Sequence, residues 1–186
     1  LHDSKNVRFA YPFITCTHCG PRYSIMQNLP YDRERTSMNP FTMCPTCTSE
    51  FTNQEDKRFY SQTNSCGTCG VNLRWLTNEP QQTDPIKHAV KLLHDGKIVA
   101  VKGIGGFLLL VDATNKKAVE TLRERKHRPS KPLACMFTSV EQVKKYALVT
   151  EKEAEALQSN EAPIVLLRRK RLSRDLAIDV IAPGLN

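Results

Sequence analysis

The sequence predicts a small four-cysteine zinc-finger region followed by an α/β (α+β) domain, and three observations carry that reading. Six of the seven cysteines form Cys-x-x-Cys pairs, Cys16/Cys19, Cys44/Cys47 and Cys66/Cys69, all before residue 70. From residue 84 onward, stretches of helical period alternate with short apolar runs of strand length, the pattern of layered helices and strands. Between the two parts, residues 77–85 are polar, carry Pro80 and Pro85 and lack apolar period, which predicts a linker over 79–84. The predicted parts are thus a finger region at 1–78 and a second domain from 85 to 186.

Bulk composition agrees with this division. The 186 residues are 40% hydrophobic and 25% charged, which excludes a largely disordered or collagenous chain. No run approaches the roughly 18 apolar residues of a membrane span, so no membrane association is expected. An odd cysteine count suits metal binding better than a disulfide framework, and without a signal-peptide pattern the expected compartment is the cytoplasm, where thiols stay reduced. The first and last residues suggest an excised or incompletely recorded piece of a longer chain.

The finger region reads as a repeat. Cys66-Gly67-Thr68-Cys69-Gly70 follows Cys16-Thr17-His18-Cys19-Gly20 at an offset of 50 residues, and the same offset maps Arg8-Phe9 onto Arg58-Phe59. Cys44/Cys47 and Cys66/Cys69 are separated by 18 residues, inside the spacing of a zinc site. The matching opening pair of the first copy would lie upstream of Leu1, which gives one whole finger and the second half of another. Four thiolates suit zinc because it is borderline-soft and accepts a closed tetrahedral shell, leaving no position for substrate. The zinc is therefore expected to be structural. A redox dithiol would need a single pair near a βαβ pattern, and His18 is the alternative ligand in the half finger.

In the second part, Asp84 and Pro85 open a helix with Ile86, Ala89, Val90 and Leu93 on one face, and Gly96 ends it. Residues 98–101 read as a strand, 103–106 as a glycine turn, and 107–111 as a fully buried strand. A helix is predicted over 116–126 from Ala118, Val119 and Leu122. Residues 133–137 read as a further buried strand, with Cys135 a small core hydrophobe. Helices over 140–146 and from Thr150 follow, the latter carrying the capping box Thr150-Glu151-Lys152-Glu153 and stopped by Pro163. The last strand is placed at 164–167.

Two segments could carry chemistry. Lys102-Gly103-Ile104-Gly105-Gly106 lacks the spacing of a dinucleotide or Walker loop and reads first as a tight connection. In residues 123–131 five of nine are Lys or Arg beside a proline turn, a composition suited to phosphate or carboxylate groups and equally to a solvated helix end. The basic run Arg168-Arg169-Lys170-Arg171 reads as an exposed loop. The net charge of +8 permits nucleic-acid binding, but that run lacks interleaved aromatics.

The residues also resemble the HypF family, the carbamoyltransferases of nickel–iron hydrogenase maturation. The resemblance rests on the string from Tyr11 to Tyr23, on Leu29-Pro30-Tyr31-Asp32-Arg33 with Thr36-Ser37-Met38, and on Asp56-Lys57-Arg58-Phe59. It continues through Val101 to Phe107 with Asp112-Ala113, and through Arg125-Lys126-His127-Arg128-Pro129-Ser130-Lys131-Pro132-Leu133-Ala134. It implies that residues 85–186 are the first, incomplete part of a YrdC-like nucleotide-binding domain. The implied reaction forms carbamoyl-adenylate from carbamoyl phosphate and ATP and passes the carbamoyl group to a cysteine of a HypE-type acceptor. By this resemblance Lys126 and Arg128, with Lys131, meet the phosphates, Gly103, Gly105 and Gly106 allow close backbone approach, and Cys16, Cys19, Cys44, Cys47, Cys66 and Cys69 bind metal. Leu108 stands where the family commonly has His, Cys69 is followed by Gly-Val-Asn rather than Gly-Pro-Arg, and the Ser-x-Asn motif of YrdC-like domains is absent from these residues. The piece alone is expected to be inactive. The alternative is a zinc-finger and YrdC-like module that binds RNA in tRNA modification, which predicts strongly salt-dependent binding.

Overall fold

The computed structural model describes residues 2–17, 20–76, 84–170 and 176–185. His18, Cys19 and Arg171, and nearly all of the expected linker, lie outside the described residues. The chain divides into two compact units, one of residues 1–85 with 104–106 and one of residues 86–103 with 107–186.

In the first unit the 50-residue repeat is a repeat of backbone conformation. The Asn6 and Asp56 amides donate to Asp3 and Asn53 carbonyls at 3.1 Å each, and Phe9 and Phe59 donate to Asn6 and Asp56 at 2.8 and 2.9 Å. Asn6 Oδ1 accepts from the Arg8 amide at 2.9 Å and Asp56 Oδ1 from the Arg58 amide at 2.7 Å, two Asx turns of the same kind. Ala10 and Tyr60 both take a left-handed φ, +56° and +51°, and Gly20 and Gly70 both donate to the first cysteine of their pair at 2.8 Å. Between the copies, residues 20–43 fold back on themselves: Ser37 donates to Ile25 O and Gln27 to Arg35 O, both at 2.8 Å. The complete copy holds the first helix, α1 (Pro45–Thr52), with Cys44 at its N-cap and Pro at its first position, where a missing N–H is harmless.

This unit has little oil in it. Its buried apolar residues are Tyr11, Ile25, Met38, Cys47 and Cys66, while Arg8, Thr36, Gln62, Thr63, Asn64 and Ser65 are buried polar ones. Buried polar groups need partners, and here they find them. Arg33 donates to the carbonyls of Gln62 at 2.7 Å, Asn64 at 2.9 Å and Phe41 at 2.7 Å, pinning the inserted segment to the second copy.

The second unit follows the predicted order of helices more closely than that of strands. It contains α2 (Pro85–His94) and β2 (Gly106–Leu110), the first residue of each belonging to the other unit, with β1 (Val99–Gly103), α3 (Lys116–Arg125), α4 (Val140–Tyr146), β3 (Ala147–Leu148), α5 (Glu151–Gln158), β4 (Arg168–Arg169) and α6 (Ile178–Ile181). Gly96, at φ +71°, ends α2 as expected: its amide donates to Leu93 O and that of Lys97 to Leu92 O, both at 2.9 Å, a Schellman cap. The capping box of α5 is present, Glu153 accepting from the Thr150 amide at 2.8 Å. That helix stops at Ser159, before Pro163 is reached. Val99, Ala118, Val119, Leu122, Val140, Val143, Ala147 and Ile181 form the buried apolar set, with α3 packed on α6.

Three strand expectations are corrected. β1 and β2 pair only with each other among the described residues, and a two-residue connection makes them an antiparallel hairpin. β2 is not a buried central strand: Phe107 is 64% and Leu108 63% exposed, because a two-stranded ribbon covers neither of its faces. Residues 133–137 form no strand; Met136 is exposed, and so is Cys135, which is not the core hydrophobe expected. The last strand is displaced from 164–167 to β4, which pairs antiparallel with β3 in the register Ala147 to Arg169 and Leu148 to Arg168. An apolar run identifies burial potential, not the neighbour that would realise it.

The C-terminus of α3 shows how a polar string acquires a fixed shape. The His127 amide donates to Glu124 O at 3.1 Å and the Arg128 amide to Arg123 O at 3.0 Å, a second Schellman cap with His127 at φ +48°. Left-handed backbone costs a non-glycine residue about 1 kcal/mol. Replacing His127 with Gly is therefore expected to stabilise the unit by about 0.5–1 kcal/mol, readable as a raised urea midpoint. An unchanged or lowered midpoint would refute the cap assignment.

Candidate metal centre and cationic turn

Each ligand-type atom of Cys44, Cys47, Cys66 and Cys69 lies within 4.8 Å of the other three. Cys44 Sγ is 3.7 Å from Cys66 Sγ, which is 3.8 Å from Cys69 Sγ. A tetrahedron with metal–sulfur bonds of about 2.3 Å has sulfur–sulfur edges of about 3.8 Å, so Cys66 stands from Cys44 and Cys69 at the separations of a zinc shell and too far for disulfides. All four cysteines are free thiols.

Local structure sets each donor. Cys44 precedes α1 and accepts from the Thr48 amide at 2.9 Å, while Cys66 accepts at its carbonyl from Cys69 at 3.2 Å and Gly70 at 2.8 Å. Gly70 is required by space: an added Cβ would lie 2.2 Å from the Tyr11 hydroxyl and 2.9 Å from Cys66 O. Among the described residues that buried hydroxyl has no hydrogen-bond partner, and it is pressed over the turn that carries Cys66 and Cys69.

The thiols differ in acidity. Burial pushes Cys66 up, but backbone N–H donors at Thr68 and Cys69 and the neighbouring thiols of Cys44 and Cys69 outweigh it and bring the group to about 6. Cys47 moves the other way, raised by burial and by the Cys69, Cys44 and Cys66 thiols. Without metal the cluster therefore keeps protons, and binding a divalent ion must release them.

Around the thiols lies a group the cysteine spacing did not announce. Arg8, 3% exposed, donates through Nε to Ser65 O at 2.8 Å, through Nη1 to Glu50 Oε1 at 2.9 Å, and through Nη2 to Asn64 Oδ1 at 2.8 Å and Cys47 Sγ at 3.5 Å. Its Nη2 also pairs with Glu50 Oε2. The hydrogen bond to Arg8 holds the Glu50 carboxyl below the usual range, against the opposing effect of burial, and hydrogen bonding to Glu50 raises Arg8. The repeated Arg-Phe at 8 and 58 was the one sequence signal that could have singled it out.

Of the other expected metal ligands, Cys16 is exposed and Cys19 lies outside the described residues. Lys126, Arg128 and Lys131 share one turn after α3. Lys126 and Lys131 are exposed and Arg128 is half-buried, its guanidinium donating to Pro132 O at 2.6 Å and Lys131 O at 3.4 Å. The turn is held from beneath by Arg123, 8% exposed. Arg123 donates to the carbonyls of Arg128 at 2.7 Å, Lys131 at 3.2 Å, Pro129 at 3.4 Å and Ile181 at 2.8 Å, and also to that of Val180. The sequence reading counted Arg123 among the exposed cations and missed this role. The glycines belong to the hairpin: Gly103 ends β1, and at Gly105 and Gly106 an added Cβ would meet nothing within 4 Å. Gly106, at φ +125°, adopts a conformation that side chains disfavour. No helix among the described residues is long and apolar enough to cross a membrane.

Comparison with known proteins gives the following likenesses. Residues 91–186 match the Sua5/YciO/YrdC family, described as telomere recombination. Residues 1–26 and 43–76 match the family described as the HypF finger. A carbamoyltransferase HypF of Rhodobacter capsulatus is 45% identical over 96% of this chain and 24% of its own length. One from Synechocystis is 45% identical over 99% of this chain and 24% of its own. The crystal structure of T. kodakarensis HypF matches with a TM-score of 0.92 at 43% identity, over 99% of this chain and 24% of that one. A crystal structure of full-length HypF in the phosphate- and nucleotide-bound form matches with a TM-score of 0.88 at 46% identity, over 100% of this chain and 24% of that one. The chain thus spans about a quarter of the length of the relatives it matches.

Proposed function

The chain belongs to the Sua5/YciO/YrdC family over its second half and to the HypF family through its finger, and from that membership we propose that it is the metal-stabilised, nucleotide-handling segment of a carbamoyltransferase. Residues 1–78 are the zinc-finger region, 79–84 the linker and 85–186 the first part of the nucleotide-binding domain. Zinc at the four thiolates serves the fold, because a closed sulfur shell has no open coordination position for substrate.

The substrates on this reading are ATP and carbamoyl phosphate. Water first cleaves carbamoyl phosphate to carbamate and inorganic phosphate; a carbamate oxygen then attacks the α-phosphorus of ATP, the bond to the α–β bridging oxygen breaks, and pyrophosphate leaves with carbamoyl-adenylate as product. A cysteine thiolate of a HypE-type acceptor then takes the carbamoyl group and AMP departs. Negative charge accumulates on the departing phosphates, so fixed cations there lower the barrier without reorganisation. The observation that carries the assignment is the turn at Lys126, Arg128 and Lys131, whose backbone is fixed by the Schellman cap and by Arg123. Lys126 and Lys131 present mobile point charges. Arg128 presents a fork already braced on carbonyls, with donors to spare. A protein of these substrates would work in the cytoplasm.

The test is a graft of this chain into the full-length Rhodobacter capsulatus relative in place of the matching quarter. Carbamoyl-phosphate-dependent exchange of pyrophosphate into ATP is expected, and Lys126→Ala or Arg128→Ala is expected to lower it by about 10²-fold. Exchange that survives both substitutions would sink the assignment of this turn.

A further inference from the structure

The four-thiolate site belongs by spacing to the second repeat copy, yet its most buried charged neighbour comes from the first. We propose that Arg8 is a positioning residue of the metal site, the charge-assisted donor to the Cys47 thiolate, so that the first copy completes the metal centre of the second.

Three observations meet on this residue. Its guanidinium touches Cys47 Sγ at 3.5 Å, within the range of an N–H···S hydrogen bond, and Cys47 is fully buried, so no water can substitute for that donor. The guanidinium is then aimed by groups that flank the ligands: Ser65, next to Cys66, accepts from Nε at 2.8 Å, and Asn64 accepts from Nη2 at 2.8 Å while donating to the Cys47 carbonyl at 3.0 Å. Finally, charge gives the contact a purpose. A divalent ion with four thiolates carries a net charge of −2, and burying it requires nearby positive charge or strong donors. Glu50 largely balances the charge of Arg8, so the N–H···S contact itself, rather than a long-range field, is what Arg8 supplies to the sulfur. Partners outside the ligand shell orient ligands and tune the metal, and their loss costs about 10–100-fold in affinity.

The proposal rests on the four-thiolate reading and not on the carbamoyl chemistry. The experiment titrates the 186-residue chain with Co2+ under reducing conditions, measures affinity by competition with a chelator, and records the sulfur-to-cobalt charge-transfer band. Arg8→Ala is expected to weaken binding by about 10–100-fold and to shift the band to lower energy, because a thiolate without its donor is a better electron donor. Glu50→Gln keeps an acceptor for Arg8 while freeing its charge, and is expected to bind at least as tightly as the unaltered chain. A network that merely braced the fold would make Glu50→Gln lose metal as Arg8→Ala does, which would overturn the proposal. Should Arg8→Ala fail to fold, Arg8→Lys decides: it keeps charge but cannot span Ser65, Glu50 and Cys47 together, and an affinity and band equal to those of the unaltered chain would refute the role. An unaltered chain that takes up no Co2+ would overturn the metal reading and the proposal together, whereas binding that is indifferent to Arg8 overturns the proposal alone.

Discussion

Stripping the metal from Cys44, Cys47, Cys66 and Cys69 is expected to unfold the first unit while the helices of the second persist. Few apolar side chains are buried in the first unit, and its interior is dominated by Arg8, Thr36, Gln62, Thr63, Asn64 and Ser65. Hydrogen bonds contribute only about 1 kcal/mol net each, so a polar interior of this kind adds little to so few buried apolar side chains. Structural zinc, by contrast, supplies about 10–16 kcal/mol in comparable modules near neutral pH, more than most domains possess in total. Amide hydrogen exchange on zinc-loaded and chelated protein would measure this directly. Protection at Asn64, Gly70 and α1 should vanish with the metal, while α3 and α4 keep theirs. Persistent protection of the first unit in metal-free protein would show that its polar interior is stable unaided.

The second large effect is expected from Arg123→Ala. Five carbonyls, those of Arg128, Pro129, Lys131, Val180 and Ile181, take donors from this one side chain, and an unsatisfied buried acceptor costs about 1–3 kcal/mol. Because some carbonyls will find water, a loss of about 3–4 kcal/mol is the reasonable sum. At a urea sensitivity of about 1–3 kcal/mol per molar, the midpoint of the second unit should fall by 1 M or more. The turn bearing Lys126, Arg128 and Lys131 should also lose its fixed backbone, so nucleotide affinity falls even where the unit remains folded. A midpoint shift under 0.2 M would mean that the carbonyls are satisfied without Arg123.

How much of this was legible in the sequence depended on the range of the interaction. Signals between near neighbours were readable: the Cys-x-x-Cys pairs, the Thr150 capping box, the Gly96 stop and the helix spans all act within a few residues. The metal centre was legible because its 18-residue spacing reports a closed loop with donors of one kind. The strands were not, because runs such as 107–111 and 164–167 advertise apolar surface without naming a partner, and pairing decides both register and burial. Arg8 and Arg123 were hidden for a related reason. An arginine reads as surface until the carbonyls or sulfurs that could satisfy it are assembled: those around Arg8 come from 39 to 57 positions away, and the Val180 and Ile181 carbonyls that complete the set around Arg123 from 57 and 58. Within the candidate nucleotide site the cationic turn could be read, but the rigidity beneath it could not.

The interlocking of the two repeat copies has a consequence for how the chain matures. Arg8 leaves the ribosome long before Glu50, Asn64 and Ser65 exist to receive it, and it must wait as a solvated cation until the later copy has been synthesised. Loop closure over such distances slows folding relative to local turns, whereas Cys44 at the N-cap of α1 and Cys47 in its first turn can meet an ion as soon as that segment emerges. The expected order is then ion capture by the nascent second copy, arrival of Cys66 and Cys69, and last the docking of the first copy's Arg8 to lock the cluster. Chains made without zinc would be expected to hold a first repeat copy with nothing to dock onto, open to proteases.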